Sequence, residues 1–433
     1  MLDLGLPSMR RSYHSVAKTS HDARTAVVVL GDLARSPRML YHALALADAV
    51  GDVDLVGYLE TPLDSAVRDH PRIHVHPLGP PVTRLPRSMF VAYGLSRTGA
   101  QFIRLAYVLL GLPRPRTILV QNPPAIPTLA VALLAARLRG ARLIVDWHNY
   151  GHAMLALRLS PRHLVVRLAR RYEDGFGRRA DVHLCVSRAM QQDLATRGVA
   201  GRSILLYDRP AARFAPLSGS ERAASRSRIL HDLGVPQRGR PLAVAVAPTS
   251  WTADEDMGLL LDAVGRYDSV AGADAGLPDL LVLLTGTGPL REEFLRRASA
   301  VTFEHVHLRA RWLEAAEYPT ALAVADLGLS LHRSASGLDL PMKVADLLGA
   351  GVPVCALGYA PCLAEVVHPG RNGVVFTTAA ELATCLSELL RDHQEAGGPL
   401  ARLRAHILTE RHERWDEAWR AAVQPLFGDG RPC

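Results

Sequence analysis

The sequence predicts an α/β protein with two parallel-sheet domains. Short β-branched runs alternate with longer segments whose apolar residues recur at helical spacing, as in Leu40, Leu44 and Ala47. This alternation is typical of parallel sheets covered by helices on both faces. The strand candidates fall into two series, separated by a polar stretch at 218–228 that is typical of an interdomain linker.

Thirteen segments are predicted to be strands. The first series is 26–30, 53–58, 73–76, 117–120, 143–146, 182–186 and 204–207. The second series is 242–247, 280–285, 306–308, 327–331, 352–356 and 374–376. The predicted organisation is an N-terminal extension at 1–24, Rossmann-like domains at 25–215 and 241–408, a linker at 216–240, and a C-terminal helix and tail at 409–433. The C-terminal helix itself is predicted over 410–427. In open sheets of this kind, ligands bind beyond the carboxyl ends of the strands.

The charge composition favours anionic partners, but it does not indicate a nucleic-acid binder. Fifty Lys and Arg residues against 42 Asp and Glu residues leave a formal charge of +8. Aromatic residues make up only 6% of the chain, which disfavours base-stacking platforms. All the basic residues are arginines except Lys18 and Lys343. Lys343 is therefore singled out as a candidate ammonium point charge, with an ordinary surface lysine as the alternative.

Neither disulfides nor a zinc site is predicted. The five cysteines show no metal-binding spacing, and their odd number favours a reducing cytoplasm. The N-terminus lacks the apolar core of a signal peptide. The apolar stretches at 102–112 and 125–138 are interrupted by Arg104, Pro127 and Arg137. They are predicted to be buried helices or surfaces that touch a membrane without crossing it.

The first candidate site follows the first predicted strand, in the segment GDLARSPRM. Asp32, Arg35 and Ser36 lie between the strand and a helix predicted to begin near Pro37. A helix N-terminus and an arginine at this edge of a sheet can bind a phosphate group. The alternative is a plain turn between strand and helix, and the absence of G-x-G-x-x-G argues against a nicotinamide dinucleotide.

A second polar cluster follows the strand at 143–146. Asp146, Trp147, His148, Asn149 and Tyr150 are consecutive, which makes a poor core and a good polar site. His148 is interpreted as a substrate-contacting residue, with a buried core histidine as the alternative. The spacing of His148 from the histidine four residues later could suit a metal, but no third ligand follows, so no metal is predicted.

In the second domain, two loops carry candidate residues. The acidic residues at 254–256 begin a helix, and simple capping is the alternative interpretation for Asp254 and Glu255. The segment TGTGP contains Gly286, Thr287 and Gly288 after a predicted strand. Its glycines would allow a ligand to approach the backbone closely, although this motif alone is weak.

The segment from Ser330 to Ala356 carries the strongest signal. A strand ends near His332, and a loop of small residues precedes a helix predicted from about Leu340. Backbone amides and the helix dipole would bind a diphosphate there. The candidate residues are Ser334, Ser336, Gly337, the following Lys343, and Asp346, which is placed to accept hydrogen bonds from ribose hydroxyls. The segment therefore predicts a nucleoside-diphosphate site.

Taken in order, the motifs resemble one enzyme family. They are GDLARSPRM, QNPPAIPTLA, DWHNYG, LCVSRAMQQDL, SWTADED, TGTGPL, WLEAAEYP and SGLDLPMKVADL, which span about residues 25 to 395. The series resembles the chitobiosyldiphosphodolichol β-mannosyltransferases, which add the first mannose of the asparagine-linked glycan precursor. The resemblance implies a GT-B glycosyltransferase that uses GDP-mannose and a lipid-diphosphate-linked saccharide. Because basic residues and backbone amides would stabilise the departing GDP, no metal or other cofactor is expected.

Two features depart from that family. The eukaryotic members have an N-terminal membrane anchor that this sequence lacks, so we expect a bacterial relative that is peripheral on the cytoplasmic face of the plasma membrane. A polyprenyl diphosphate sugar is then as plausible an acceptor as a dolichol one. Many retaining GT-B enzymes also have two glutamates eight positions apart, where this chain has Leu338 and Asp346. The missing first acid fits an inverting reaction.

The resemblance also implies roles for individual residues. Asp32 is the first choice for the general base, with Asp146 and His148 as alternatives. The residues expected to hold GDP are Arg35, Gly286, Thr287, Gly288, His332, Ser334, Ser336, Gly337, Leu338, Lys343 and Asp346. Trp147, Asn149 and Tyr150 are expected on the acceptor side. A retaining hexosyltransferase with another nucleotide, or a non-catalytic sugar-nucleotide-binding subunit, remains the alternative.

Overall fold

The computed structural model describes residues 24–79, 90–199, 201–236, 239–393, 395, 397–410 and 413–428, with side chains omitted at 90–95. Lys18 and nearly all of the predicted N-terminal extension therefore lie outside the described residues. The predicted strands are all present, with ends shifted by at most three residues, and the two parallel sheets confirm the predicted α/β class.

The first sheet has seven parallel strands in the order β3-β2-β1-β4-β5-β6-β7. Its strands are β1 Thr25–Asp32, β2 Val53–Tyr58, β3 Ile73–Pro77, β4 Thr117–Asn122, β5 Arg142–Trp147, β6 Val182–Cys185 and β7 Arg202–Leu205. Its helices are α1 Pro37–Ala49, α2 Ser65–Arg68, α3 Phe90–Gly111, α4 Thr128–Arg139, α5 Gly151–Ala156, α6 Leu164–Gly177 and α7 Arg188–Thr196, with a 3₁₀ helix at Leu33–Arg35. Because β4 lies between β1 and β5, with Asn122 opposite Trp147, the carboxyl ends of these three strands share one edge.

The second sheet has six parallel strands in the order β10-β9-β8-β11-β12-β13. Its strands are β8 Leu242–Pro248, β9 Asp279–Thr285, β10 Val306–Arg311, β11 Leu327–Ser330, β12 Val354–Leu357 and β13 Gly373–Phe376. The associated helices are α8 Gly219–Asp232, α9 Met257–Ala273, α10 Arg291–Ser299, α11 Tyr318–Ala323, α12 Met342–Gly349, α13 Ala379–Leu390 and α14 Pro399–Thr409, with a 3₁₀ helix at Pro361–Glu365. Both sheets are apolar on both faces, as parallel sheets require.

The polar stretch predicted as a linker is a helix. α8 begins with a capping box in which Ser218 and Glu221 each bond the backbone of the other. Arg222 and Arg226 then form ion pairs with Asp326, at 2.7 and 2.9 Å. The stretch is poor in large apolar residues because charged side chains attach this helix to the second domain.

The C-terminal helix packs on the first domain, although it follows the second in sequence. α15 spans Trp415–Ala422 and is followed by a 3₁₀ helix at Gln424–Leu426, so it is shorter than the helix predicted over 410–427. Trp415 and Trp419 are buried in the core that covers one face of the first sheet. Arg142 donates to the Leu426 carbonyl at 2.6 Å. The chain therefore crosses back, and this helix connects the two domains.

The two interrupted apolar stretches lie in α3 and α4, on the opposite face of the first sheet from α15. Leu105 and Leu109 of α3 are buried in the core, whereas Ile103 and Tyr107 are exposed. No helix in the described part of the chain is long and apolar enough to span a bilayer.

Replacing Trp419 by alanine tests the attachment of α15. Its indole is fully buried, so we expect Trp419→Ala to lower the free energy of unfolding by about 3–5 kcal/mol. Trp312→Ala is the matched control, because Trp312 is 53% exposed and a surface truncation changes stability by about 0.5 kcal/mol or less. Denaturant unfolding followed by circular dichroism measures both. Equal effects would contradict the assigned packing.

Candidate active site

The carboxyl edges of the two sheets face each other across a cleft. Asn149, after β5, donates its side-chain amide to the Asp339 carboxylate in the loop after β11, at 2.8 Å. Beside this contact, the Ser187 hydroxyl donates to the carbonyl of Leu338. Leu338 packs against the core of the first domain, so it joins the domains and is not shown to form part of a nucleotide pocket. The two polar loops singled out from the sequence are therefore neighbours.

Asp146 lies at the centre of a buried ion network. Its carboxylate accepts two hydrogen bonds from the Arg38 guanidinium, at 2.8 and 3.0 Å. Arg38 also binds Asp208 at 2.8 Å, and Asp146 and Arg38 are both almost completely buried. Burial would raise the pKa of Asp146, but Arg38 and the neighbouring histidines hold that pKa well below its usual range. An inaccessible, fully paired carboxylate cannot take a proton from a substrate, so Asp146 is a positioning residue rather than a candidate base.

The hydrogen bonds around His42 determine its tautomer. The Trp419 indole can only donate, and it lies 3.0 Å from His42 Nδ1, which must therefore accept. His42 Nε2 then carries the proton and donates to Asp146 at 3.1 Å. Burial lowers the pKa of His42, so this ring is neutral at pH 7. The C-terminal helix thus contacts the ion network through a defined hydrogen-bond chain.

His148 lies above Asp146 and reaches the cleft. Its Nε2 is 2.9 Å from the Asp146 carboxylate, and its side chain is 21% exposed. Donation from Nε2 to Asp146 leaves the lone pair of Nδ1 available. Its backbone amide donates to the Asn122 carbonyl at 2.8 Å, which fixes the loop. A histidine oriented by a buried carboxylate is a suitable general base.

Asp32 occupies the equivalent edge position after β1, but it is more enclosed. Its Oδ1 accepts the backbone amides of Glu60 and Thr61, at 3.2 and 3.3 Å. Its Oδ2 is buried without a hydrogen bond and lies 3.7 Å from the mostly exposed Arg35 guanidinium. Asp32 therefore braces the β1 and β2 loops, and its second oxygen is less accessible than the His148 ring.

Trp147 and Tyr150, predicted on the acceptor side, are core residues instead. The Trp147 indole is buried and donates to His183 at 3.1 Å. The Tyr150 hydroxyl donates to Asp193 at 2.7 Å, and the Arg197 guanidinium lies over its ring at 4.1 Å. Both side chains belong to the core of the first domain, where large aromatic rings are readily buried.

Glu173 on α6 fixes the loop after β5 from below. Its buried carboxylate accepts the Asn122 side-chain amide at 2.7 Å and the Gly151 backbone amide at 2.9 Å. It also accepts the His152 backbone amide and pairs with the His152 ring. The histidine four residues after His148 therefore belongs to a structural hydrogen-bond network. Among the described residues no group of three metal-ligating side chains is present.

In the second domain, Asp339 organises the predicted diphosphate loop. Its carboxylate accepts the hydroxyls of Ser334 and Ser336, and His332 Nε2 lies 3.0 Å from it. Gly337 has a φ of 73°, a left-handed conformation that suits glycine. The structure thus brings these four predicted residues together, around a carboxylate that the sequence analysis did not assign.

Lys343 lies in the first turn of α12, the helix that follows this loop, and forms an ion pair with Glu255. The buried Glu255 also accepts the Ser250 and Trp251 amides, at 2.8 and 2.9 Å. Glu255 is therefore more than a helix cap. Capping is performed by Asp256, which accepts the Leu259 amide at 3.1 Å.

The glycines after β9 have a packing role. A Cβ added at Gly286 or at Gly288 would lie 2.0 Å from a carbonyl oxygen of the loop after β8, that of Thr249 or of Ser250. The Trp251 indole also donates to the Gly286 carbonyl at 3.1 Å. These glycines, with Thr287 between them, allow two loops to pack against each other. Close approach to a ligand is not needed to explain them.

Asp346 lies half-buried on α12, one turn beyond Lys343. Burial raises the pKa of Asp346 to about 8, an effect that Asp208 strengthens and that Arg213 and Lys343 oppose. Near neutral pH its carboxyl group is therefore mostly protonated and can donate as well as accept hydrogen bonds. Its ribose-binding role stays a prediction.

Comparison with known proteins assigns the family. Models of two families match, a glycosyl transferase 4-like domain over residues 33–206 and a glycosyl transferase-like domain over 275–421. The mouse chitobiosyldiphosphodolichol β-mannosyltransferase is 37% identical, over 95% of this chain and 90% of its own. The chain belongs to this family. It is a glycosyltransferase.

Two further similarities support the assignment of fold and family. A protein of Arabidopsis thaliana named UDP-glycosyltransferase TURAN is 38% identical, over 93% of this chain and 97% of its own. The crystal structure of WaaG, a glycosyltransferase involved in lipopolysaccharide biosynthesis, has a TM-score of 0.65 at 12% identity and covers 94% of this chain and 100% of its own. At that identity WaaG shows the fold alone. The glycosyltransferase therefore has the expected GT-B architecture.

Several site residues of this glycosyltransferase were missed in the sequence. Arg38 stands in the first motif, three positions beyond Arg35. It lies on the buried side of α1, and this position was the signal that could have identified it. Asp339 stands in the SGLDLP motif beside residues that were singled out. Glu173 belongs to none of the motifs, and only the packing of α6 brings it to the loop after β5.

Removing Arg38 tests the ion network. We expect Arg38→Met to lower the free energy of unfolding at pH 7 by about 3–5 kcal/mol, because the buried Asp146 charge is left unpaired. In the wild type, the stability that comes from the lowered pKa of Asp146 is lost as the pH falls below about 5. The difference in unfolding free energy between the wild type and Arg38→Met should therefore narrow at low pH. Urea unfolding across this pH range measures it.

Arg35→Met is the control for that experiment. The side chain of Arg35 is 62% exposed, so the expected change is about 0.5 kcal/mol or less at every pH. A difference between wild type and Arg38→Met that widens on acidification would contradict the assigned ionisation of Asp146.

Proposed function

We propose that this glycosyltransferase moves mannose from GDP-mannose to a lipid-diphosphate-linked GlcNAc-type oligosaccharide and forms a β-1,4-mannosidic bond with inversion. The name of the mouse relative, whose similarity extends over nearly the whole chain, supports the sugar and the acceptor class. The proposed place of reaction is the cytoplasmic face of the plasma membrane.

The observation that carries the proposal is the Asn149–Asp339 hydrogen bond of 2.8 Å. It places the loop that contains His148 beside the loop that contains Ser334, Ser336 and Gly337. An inverting transfer requires a base at the acceptor hydroxyl and stabilisation of the departing diphosphate within one cleft. These two loops supply both kinds of group at adjoining positions.

On the acceptor side, His148 takes the proton of the attacking hydroxyl. Asp146 holds the ring through Nε2 and stabilises the imidazolium that forms, while Arg38 keeps Asp146 ionised. This arrangement replaces Asp32 as the first choice, because the free oxygen of Asp32 is buried. Asp32 instead holds the neighbouring loop and Arg35.

On the donor side, the loop at 334–337 and Lys343 stabilise the negative charge that develops on GDP. The Lys343 ammonium pairs with the buried Glu255, and its side chain is 27% exposed, so it is partly accessible to a bound diphosphate. Backbone amides, hydroxyls and an ammonium group suffice for this role, so the reaction as proposed requires no divalent metal.

The alternative concerns the nucleotide and the stereochemistry. The name of the Arabidopsis relative specifies a UDP-glycosyltransferase, so another nucleotide sugar must be compared directly with GDP-mannose. A retaining enzyme of the same fold would give the α-product.

The deciding experiment supplies labelled GDP-mannose and a synthetic GlcNAc₂-diphosphate-isoprenoid to the purified protein. We expect label to reach the lipid and then to be released by a β-mannosidase. UDP-glucose and UDP-GlcNAc serve as donor controls. Transfer from a UDP-sugar alone would replace the proposed donor, and a product released only by an α-mannosidase would establish retention.

Substitution of the two candidate bases tests the mechanism. We expect His148→Ala to lower kcat by about 10²–10⁴-fold, the usual contribution of a general base, while the KM for the donor changes little. We expect Asp32→Asn to have a much smaller effect on kcat, because an amide oxygen still accepts the Glu60 and Thr61 hydrogen bonds.

His231→Ala is the matched control, because the side chain of His231 is 91% exposed on α8. It should transfer mannose at the wild-type rate. Near-complete loss of kcat in Asp32→Asn together with an active His148→Ala would assign the base to Asp32.

A further inference from the structure

One outer surface of the first domain exposes apolar side chains in an unusual number. We call it the α5–α6 face and define its apolar part as Met154, Leu157, Leu164, Val165 and Leu168. These side chains are between 47% and 63% exposed. Single exposed leucines are ordinary on protein surfaces, but a contiguous group marks an interaction site.

The exposure follows from the pattern of α6. Val166, Ala169, Glu173 and Gly177 form the buried stripe of this helix, at spacings of three and four. Leu164, Val165 and Leu168 lie outside that stripe. The helix therefore presents large apolar residues on the side away from its own core.

The same face is strongly basic. Between Trp147 and Tyr172 the sequence contains five arginines and no acidic residue. The arginines are Arg158, Arg162, Arg167, Arg170 and Arg171, and all are exposed, with Arg170 lying 3.8 Å from the Asp174 carboxylate. Apolar residues interleaved with cations fit the interface of an anionic lipid bilayer, where the leucines enter the acyl boundary and the arginines meet the headgroups.

Neighbouring helices continue this surface. α4 packs between α3 and α6, and its outer side exposes Leu134 and Leu138. α3 exposes Ile103 and Tyr107 beside it. The apolar area therefore extends across three adjacent helices.

The face is joined rigidly to the candidate active site. α5 begins at Gly151, immediately after the loop that contains His148 and Asn149. Glu173, on the buried side of α6, accepts the backbone amides of Gly151 and His152. When this face contacts a surface, the rigid connection therefore fixes the distance between His148 and that surface.

The geometry points to the α5–α6 face as the docking surface for an anionic membrane, which holds the acceptor-side loop at the level of the lipid-linked diphosphate. This inference rests on the proposed function for the identity of the acceptor. Docking itself depends only on the exposed residues and their charge.

Vesicle sedimentation tests the docking surface. The wild type should bind vesicles of phosphatidylcholine mixed with phosphatidylglycerol, should bind pure phosphatidylcholine less, and should lose affinity as salt is raised. Leu164→Ser/Leu168→Ser should reduce binding roughly tenfold, because apolar side chains drive insertion. Arg162→Gln/Arg167→Gln should reduce binding to the anionic vesicles by a similar factor.

Matched controls lie on the second domain. Val301→Ser/Leu408→Ser removes two exposed apolar side chains, and Arg266→Gln/Arg402→Gln removes two exposed charges. Both variants should bind vesicles as the wild type does. Equal loss in the control variants, or unchanged binding in the α5–α6 variants, would overturn the proposal. A wild-type dimer that becomes monomeric in Leu164→Ser/Leu168→Ser would also overturn it, because the face would then be an interface between copies.

A second measurement separates this inference from the proposed function. Leu164→Ser/Leu168→Ser should lose transfer to a long-chain acceptor in vesicles but keep transfer to a short-chain, water-soluble acceptor. Parallel loss with both acceptors would show that these residues support the fold or the active site, which overturns a docking role. Vesicle binding by a wild type that is inactive with either acceptor would contradict the proposed function and leave the docking surface established.

Discussion

The structure depends above all on the buried ion pair between Arg38 and Asp146. A buried pair of this kind adds little net stability, because desolvation of both charges offsets their attraction. The ion pair matters because it fixes the positions of the groups around it. One carboxylate orients His148, accepts a hydrogen bond from His42 Nε2 and, through His42, connects to Trp419 of the C-terminal helix. The same pair thus joins the candidate base to the segment that links the domains.

The cleft is organised by a second carboxylate, Asp339. It collects the hydroxyls of the diphosphate loop and accepts a hydrogen bond from Asn149 of the opposite domain. If the donor binds at this loop as proposed, it competes with Asp339 for these hydroxyls, and Asp339 is the residue that makes the contact with Asn149. Glu365 adds to that contact by accepting the amides of Arg188 and Ala189 at the start of α7.

The two opposed outer sides of the first domain differ in what covers them. One is covered by α15, whose tryptophans complete the core. The other consists of α3, α4 and α6, and it leaves leucines and arginines exposed. Glu173 connects this outer side to the loop after β5. A lipid-linked acceptor would reach the cleft from that side.

The sequence by itself determined the strands, their parallel arrangement and the loops that carry polar residues, because strand and helix periodicity and strand-end polarity are local signals. It also predicted His148, Ser334 and Ser336 as site residues, and the structure brings their two loops together through the Asn149–Asp339 hydrogen bond. Only the tertiary structure decided which of the consecutive residues Asp146 to Tyr150 face the cleft, since burial depends on neighbouring strands and helices. The roles of Arg38 and Glu173 and the contact between Asn149 and Asp339 were decided in the same way. The partners in the Arg38–Asp146, Glu173–Asn122 and Asn149–Asp339 contacts lie between 51 and 190 residues apart in the chain, and no local pattern encodes such contacts.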